Sequence, residues 1–300
     1  MRIRPPSILL LASVVLFLIF AVCFNSRVNG NVPLQFSNDE VEVILGGDVM
    51  LGRTVMSKSL DLDDPTYPFR KVADELKEAD LVFVNLESPI IEDCPRTHEG
   101  LKFCADPRMR KGLALAGIDI VSLANNHSRN YGDEGLEQTK RFLEEENILA
   151  TGLGELVIKE VRGIKFGFLG FDFVSKKPKD EDFKLVENSD VEVDVLIIGV
   201  HWGGEYSQKV SSSQREWAEG LVNAGADVVV GHHPHWLQEI EYIKAKPIYY
   251  SLGNFVFDQM WSEKTREGLL IRLTFKNGEI EREERLPIYI SSWAQPEFVE

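Results

Sequence analysis

The chain of 300 residues carries a formal net charge of −15 at pH 7, with 33 Lys and Arg against 48 Asp and Glu. Its apolar and charged fractions are close to those of ordinary soluble proteins, and its length allows one large α/β domain plus a short extension. A surface with this excess of negative charge repels polyanions unless a local cationic or metal-bearing cleft offsets the field. We therefore expect no nucleic acid partner and no second catalytic domain.

Residues 1–24 are predicted to form a membrane anchor. Arg2 and Arg4 precede an apolar run over residues 7–24, which is roughly the length that crosses a bilayer as a helix. A cleavable signal peptide is the alternative, although the apolar region of such a peptide is usually shorter. Because only Arg27 follows the run closely, the positive-inside bias predicts a single-pass cell membrane protein with a cytoplasmic N-terminus and an extracytoplasmic main domain.

Residues 25–40 are polar and show no periodicity, so we predict a linker there. Over residues 41–300, short apolar runs alternate with amphipathic stretches, and this pattern predicts a single α/β domain. Two hairpins are expected, one over residues 157–168 and one that turns at Asn277 and Gly278. The six other candidate strands begin at Val41, Leu81, Ile118, Val193, Asp227 and Pro247.

Cys94 and Cys104 lie close together in a polar segment that contains proline. Outside the cell, an oxidising compartment permits a disulfide that closes this short loop. Zinc binding is not expected at these two residues, because the segment contains no CxxC pair. We therefore predict a disulfide between Cys94 and Cys104, which pins a loop.

Metal-capable or proton-transferring side chains follow all six candidate strands. They are Asp48, Asn85, Glu87, Asn126, His127, His201, His233, His235 and Asn254. In an open α/β sheet, ligands bind beyond the carboxyl ends of the strands, so these residues are expected to converge. Each one alone has a structural explanation, such as a turn cap or a buried histidine, but five of the six histidines fall in these loops. Mixed oxygen and imidazole ligands favour zinc, manganese or iron, and we predict a catalytic site with one or two such ions.

Six motifs occur in the order and approximate spacing of one known family. They are GGDVMLGR, NLESPI, LANNHSRNYGDEG, HWGGEY, GHHPHWLQ and YSLGNFVFDQ, and they span about residues 41–259. The chain thus resembles the CapA family of poly-gamma-glutamate capsule biosynthesis, which is similar to the calcineurin-like metallophosphoesterases. The resemblance implies a four-layer αββα sandwich with a two-metal site above the sheets.

The resemblance also implies a function. The expected protein is a membrane-anchored, extracytoplasmic, metal-dependent hydrolase or transferase that acts on a phosphoester or on a polyglutamate-like amide. The alternative is a non-catalytic assembly or export factor that binds an anionic polymer. A membrane-bound synthase complex is an expected partner in either case.

Residue roles follow from the same resemblance. His127 occupies the position of the histidine that contacts substrate and acts as general acid, and Glu205 is a candidate acid that touches the substrate or a metal ligand. His232 is interpreted as a variable position. The implied metal ligands are Asp48, Glu87, Asn126, His201, His233 and His235, and the candidate substrate-binding residues are Arg53, Asn85 and Asn254.

One residue departs from the superfamily pattern. The first motif of the superfamily is Asp-x-His, whereas this chain has Met50 two residues after Asp48. A thioether is a poor ligand for hard or borderline metals, so one ion is expected to bind weakly or not at all. With a single ion, Lewis-acid catalysis is still possible but a two-metal clamp is not, and a non-catalytic role gains support.

Overall fold

The computed structural model describes residues 40–299. The predicted anchor over residues 1–24 lies outside this part of the chain, and so does the predicted linker except for its last residue. Among the helices of residues 40–299, none has the length and apolar character needed to span a bilayer. The first strand begins at Glu40, one residue before the predicted start of the domain.

The described residues form a mixed α/β fold, which confirms the predicted class. The strands are β1 (Glu40–Val49), β2 (Leu81–Leu86), β3 (Ile120–Ser122), β4 (Leu149–Thr151), β5 (Val157–Val161), β6 (Ile164–Asp172), β7 (Val195–His201), β8 (Val228–His232), β9 (Ile240–Ile243), β10 (Lys246–Tyr249), β11 (Asn254–Val256), β12 (Glu267–Lys276), β13 (Glu279–Ser292) and β14 (Gln295–Phe298). The α-helices are α1 (Arg53–Asp61), α2 (Ala73–Leu76), α3 (Arg110–Leu115), α4 (Gly132–Glu144), α5 (Asp180–Asp190) and α6 (Ser212–Asn223). Three short 3-10 helices cover Tyr67–Phe69, Pro107–Met109 and Glu263–Thr265.

The strands form two sheets. In the first sheet the order is β14-β13-β12-β1-β2-β3-β4, and β11 also pairs with β1. In the second sheet the order is β5-β6-β7-β8-β10-β9. Strands β1 to β4 are parallel, as are β6, β7, β8 and β10. The carboxyl ends of the parallel strands therefore share one edge in each sheet.

Three apolar clusters hold the layers together. One cluster lies between the sheets, where the rings of Phe83 and Phe168 stack with centroids 5.6 Å apart. Residues of α1, α3 and α4 pack on the other face of the first sheet, and residues of α5 and α6 pack on the other face of the second. In β1, Val43 and Leu45 face the second sheet while Ile44 faces the helices, as the twofold period of a strand requires. Because such strands are buried on both faces, they appear as continuous apolar runs.

The predicted course of the last candidate strand needs correction. The apolar run from Pro247 predicts a strand that ends just before Asn254, but β10 ends at Tyr249 and Asn254 begins β11 in the other sheet. The chain crosses between the sheets here, with Gly253 at a φ of +67°. A side chain on Gly47 would collide with the carbonyl oxygen of Gly253, so this crossing requires close backbone contact.

Candidate metal centre

Asp48 lies at the point where the two sheets meet. It is near the end of β1, in register with Asn85 of β2 and Asn254 of β11. Its carboxylate is fully buried; Oδ1 accepts a hydrogen bond from Asn85 Nδ2 (2.8 Å), and Oδ2 accepts one from the His233 backbone N–H (3.2 Å). His235 Nδ1 is 3.1 Å from Oδ2. Burial alone would raise the pKa of Asp48, but the neighbouring imidazoles hold it well below its ordinary value, so the carboxylate is ionised.

Three polar side chains converge beside Asp48. His201 Nε2 lies 2.9 Å from Asn126 Oδ1 and 3.1 Å from His233 Nδ1. Burial lowers the pKa of His201 well below its ordinary value, and burial together with His235 lowers the pKa of His233 to about 4. Neutral imidazoles and an amide oxygen are metal ligands, so this arrangement suits a cation better than it suits a set of protonated rings.

Glu87 is the side chain whose surroundings most favour a bound cation. Its carboxylate is fully buried, and neither oxygen has a hydrogen-bond partner among residues 40–299. His127 Nε2 and His235 Nε2 lie 3.7 Å and 3.8 Å from Oε1. Burial raises the pKa of Glu87 well above its ordinary value. Buried polar groups without partners are uncommon and costly, so the donor set fits a bound metal ion.

The ligand atoms form two groups, each close enough to share an ion. One atom from each of Asp48, Glu87 and His201 lies within 4.8 Å of the others. The same holds for Glu205, His233 and His235, of which Glu205 is exposed. Burial would lower the pKa of His235, but Glu87 and Asp48 raise it to about 9. His235 therefore carries the positive charge in the metal-free protein.

Four of the twelve non-glycine residues with positive φ among residues 40–299 lie at this cluster. His233 and His235 have φ values of +96° and +57°, and Tyr206 and Arg53 have values of +58° and +46°. Each non-glycine residue in this region costs roughly 1–3 kcal/mol and persists only where the surroundings impose it. A hydrogen bond from the Tyr206 N–H to the Pro234 carbonyl (2.8 Å) ties the two loops together. The strain is consistent with side chains that are held in place for binding.

A cavity of about 320 Å³ opens beside the cluster. His127, Glu205 and His235 line it, as do Trp261 and Trp293, which have 61% and 45% of their surfaces exposed. A second group lines the wall: Arg53, His98, Glu99, Gly100, Leu101, Phe103, Tyr206, Asp258 and Gln259.

The Arg53 charge is already paired. Its Nη2 bonds to Asp258, its Nη1 donates to the Gly100 carbonyl (3.0 Å), and its guanidinium lies 4.6 Å from the centre of the Phe103 ring. Arg53 therefore lines the cavity with its charge already paired, and its role in substrate binding stays a prediction.

Asn85 and Asn254, which we predicted to bind substrate, are fully buried under the cluster. The Asn85 amide donates to Asp48 and accepts from Asn125 Nδ2 (3.0 Å). The Asn254 amide donates to the Thr265 carbonyl (2.8 Å), and its oxygen lies 3.0 Å from His235 Nδ1. Because protein groups occupy both amides, these residues orient the candidate ligands and do not face a substrate.

Three further predictions concern His232, Met50 and the cysteines. His232, interpreted as a variable position, is buried with Nδ1 3.4 Å from Asp48 Oδ1. Met50 packs in the apolar cluster outside the first sheet, and its sulfur accepts a hydrogen bond from the Gly52 N–H (3.1 Å). Cys94 and Cys104 form a disulfide with Cα atoms 5.8 Å apart.

Several residues of the site did not emerge from sequence reasoning. Asn125 supports Asn85, Asn130 contacts His127, and Tyr206 and Asp258 line the cavity. All four lie inside the six family motifs, in LANNHSRN, HWGGEY and SLGNFVFDQ. The motifs could therefore have pointed to these residues. Only the folded structure shows which residues are candidate ligands, which hold a ligand in place and which line the cavity.

The fold and the site together define a mixed α/β protein with two packed sheets and a candidate metal centre at their shared end. The profile of the family described as "Bacterial capsule synthesis protein PGA_cap" matches residues 42–259, and the chain belongs to this family. The predicted CapA-type membership is thereby confirmed.

Two curated proteins illustrate this relationship. The chain is 30% identical over 299 residues to "Capsule biosynthesis protein CapA" of Bacillus anthracis, covering 90% of this chain and 72% of that protein. It is 29% identical over 301 residues to "PGA biosynthesis protein CapA" of Bacillus subtilis (strain 168), covering 92% and 79%. The relatives link the family to capsule and PGA biosynthesis.

Solved structures share the fold. A hypothetical protein from Thermus thermophilus aligns with a TM-score of 0.55 at 18% identity, over 82% of this chain and 98% of that one. A candidate 5′-nucleotidase from Staphylococcus aureus, solved with alpha-ketoglutarate, aligns with a TM-score of 0.50 at 15% identity, over 84% and 55%. At these identities the likeness concerns the fold alone.

Proposed function

We propose that this protein is a metal-dependent hydrolase or transferase with a four-layer, metallophosphoesterase-like αββα fold. The observation that carries the proposal is Glu87, a buried carboxylate for which residues 40–299 supply no hydrogen-bond donor. Burying a charge is expensive unless a partner or a metal compensates for it. Helices outside two face-to-face sheets, together with the likeness to solved folds, support the architecture.

One or two ions of zinc, manganese or iron are the proposed cofactor. Bound there, such an ion would act as a Lewis acid and lower the pKa of a coordinated water. Asn85 holds the Asp48 carboxylate in place and Asn254 holds the His235 ring. The proposed ligands are Asp48, Glu87, Asn126, His201, His233 and His235, all brought to one end of the sheets.

The remaining chemistry belongs to the side chains of the cavity. His127 lies between the cluster and the open space, where it can exchange a proton with a bound substrate. Glu205 is the second candidate for proton transfer and is exposed to solvent. The anchored Arg53 and Phe103 keep the wall rigid, which favours a fixed substrate orientation.

The proposed substrate is a phosphoester or an anionic polymer of the poly-gamma-glutamate type, and the names of the relatives support the second choice. We propose that the domain works outside the cell, anchored by residues 1–24, next to a membrane-bound synthase. The disulfide between Cys94 and Cys104 supports this location, since disulfides persist mainly in oxidising compartments.

Metal stoichiometry tests the proposal. The full chain, purified in detergent and treated with a chelator, is reconstituted with zinc, manganese or iron, and bound metal is counted against a His233→Ala variant. We expect one or two ions per chain, fewer in the variant, and metal-dependent hydrolysis of a simple aryl phosphate or of poly-gamma-glutamate. A chain that binds none of these ions would refute the metalloenzyme.

Met50 favours a second candidate function, a non-catalytic assembly or export factor that binds an anionic polymer. Met50 stands where the first superfamily motif has a histidine, and its side chain packs in the apolar core. Co-sedimentation with poly-gamma-glutamate, with and without zinc, tests this alternative. Metal-dependent polymer binding without any turnover would favour it over the enzyme.

A further inference from the structure

Asn130 lies between His127 and the loop that the disulfide closes. Asn130 Oδ1 is 2.7 Å from the backbone nitrogen of Phe103 and 3.1 Å from His127 Nδ1. A backbone N–H can only donate, so the Asn130 atom that faces Phe103 is the carbonyl oxygen. Since the same oxygen faces the imidazole, Nδ1 of His127 has to carry a hydrogen.

The contact made by the other ring nitrogen of His127, Nε2, indicates the same tautomer. Asn126 Oδ1 is turned towards His201 Nε2, which leaves Asn126 Nδ2 at 3.3 Å from His127 Nε2. The amide nitrogen donates, so His127 Nε2 accepts. In a neutral imidazole one nitrogen carries hydrogen and the other does not, and both contacts are satisfied by the Nδ1–H form.

The disulfide loop holds the group that fixes Asn130. The Phe103 ring stacks on His127 with centroids 4.1 Å apart and planes inclined by 26°. The next residue, Cys104, is bonded to Cys94, and the Ala105 N–H donates to the Pro89 carbonyl (2.8 Å). The loop therefore presents the Phe103 ring and the Phe103 N–H to the site as one anchored unit.

We infer that Asn130, held by the Phe103 N–H, is a positioning residue that fixes His127 in the Nδ1–H tautomer and turns a bare Nε2 towards Glu87 and the cavity. Nε2 is then the ring nitrogen that is left to exchange a proton with a substrate bound in the cavity. The inference rests on the proposed function for the reaction, whereas the tautomer is a property of the ring itself.

Nuclear magnetic resonance of the ring nitrogens tests the inference. The full chain carries ¹⁵N-labelled histidine, is freed of metal by a chelator and is studied at about pH 8, above the ordinary imidazole pKa of about 6.5. The His127 signals are assigned by their loss in a His127→Ala variant. We expect the Nδ1–H form alone in the wild-type protein and a mixture of both tautomers in Asn130→Ala.

Two variants separate positioning from general damage. Asn130→Asp keeps an acceptor oxygen and should retain the Nδ1–H form, and Asn188→Ala on the exposed face of α5 should change nothing. An Nε2–H ring in the wild type overturns the inference, as does an unchanged ring in Asn130→Ala. If Asn130→Ala does not fold, the tautomer of His127 in the wild-type protein still tests the inference. Neither metal binding nor turnover is measured, so failure of the proposed function would leave this result intact.

Discussion

The two sheets bring different atoms to the same site. The first sheet supplies candidate oxygen ligands and the second supplies candidate ring-nitrogen ligands, and Asp48 contacts residues of both. The oxygen side consists of Asp48, Glu87 and Asn126, and the nitrogen side of His201, His233 and His235. A metal ion bound by both sides would join the sheets, so metal affinity and sheet packing should be coupled.

The largest expected effect comes from removing the contact that joins the two sides. Asp48→Ala leaves the His233 N–H without its partner and removes one of the two carboxylates next to the buried His235 ring. Removing one partner of a buried ionic pair costs about 3–5 kcal/mol. We expect a loss of this size in the free energy of unfolding of the metal-free chain, measured in urea.

Asp74→Ala is the matched control, because the Asp74 side chain is fully exposed. Surface substitutions of this kind usually change stability by less than about 0.5 kcal/mol. A loss in Asp48→Ala no larger than in the control would mean that Asp48 does not couple the sheets.

The pH dependence of the metal-free chain tests the nitrogen side. The carboxylates of Glu87 and Asp48 raise the pKa of His235 to about 9. A raised pKa means that the stabilisation is complete below about pH 6.5 and is lost as the pH rises to about 9; at about 1.4 kcal/mol per unit this amounts to about 3 kcal/mol. Urea unfolding at several pH values should show this decline, and His235→Gln should flatten it. A wild-type curve without a decline would contradict the assignment.

Glu87 should behave in the opposite way to Asp48. Burial raises the pKa of Glu87, so its ionised form destabilises the metal-free chain increasingly as the pH rises above the ordinary carboxyl range. Glu87→Gln removes this charge and should stabilise the metal-free chain at pH 7 by about 1–3 kcal/mol while it weakens metal binding. Glu187→Gln on the exposed face of α5 is the control. If Glu87→Gln lowers stability and leaves the metal count unchanged, Glu87 has another role.

The sequence predicted the strands that lie in continuous apolar runs, including the three-residue β3, and it missed β4 and β11. Strands β1, β2, β7 and β8 are buried on both faces and stand out for that reason, whereas β4 and β11 have three residues each and show no periodicity. In the same way, the positions of polar residues after the predicted strands indicated which side chains converge at one end of the sheets. The supporting role of Asn85 and Asn254 depends on partners such as Asn125 and the Thr265 carbonyl, which only the folded chain brings near.

Met50→His has the smallest expected effect and tests whether the missing imidazole can be restored. The Met50 side chain is fully buried in the apolar cluster outside the first sheet, with its sulfur bonded to the Gly52 N–H. An imidazole there would be a buried polar group, so we expect a loss of about 1 kcal/mol in urea unfolding and no added metal per chain. Met260→His, at a partly exposed position, should cost less. A higher metal count in Met50→His would show that this side chain reaches the site after all, and that the oxygen side of the centre tolerates an added nitrogen ligand.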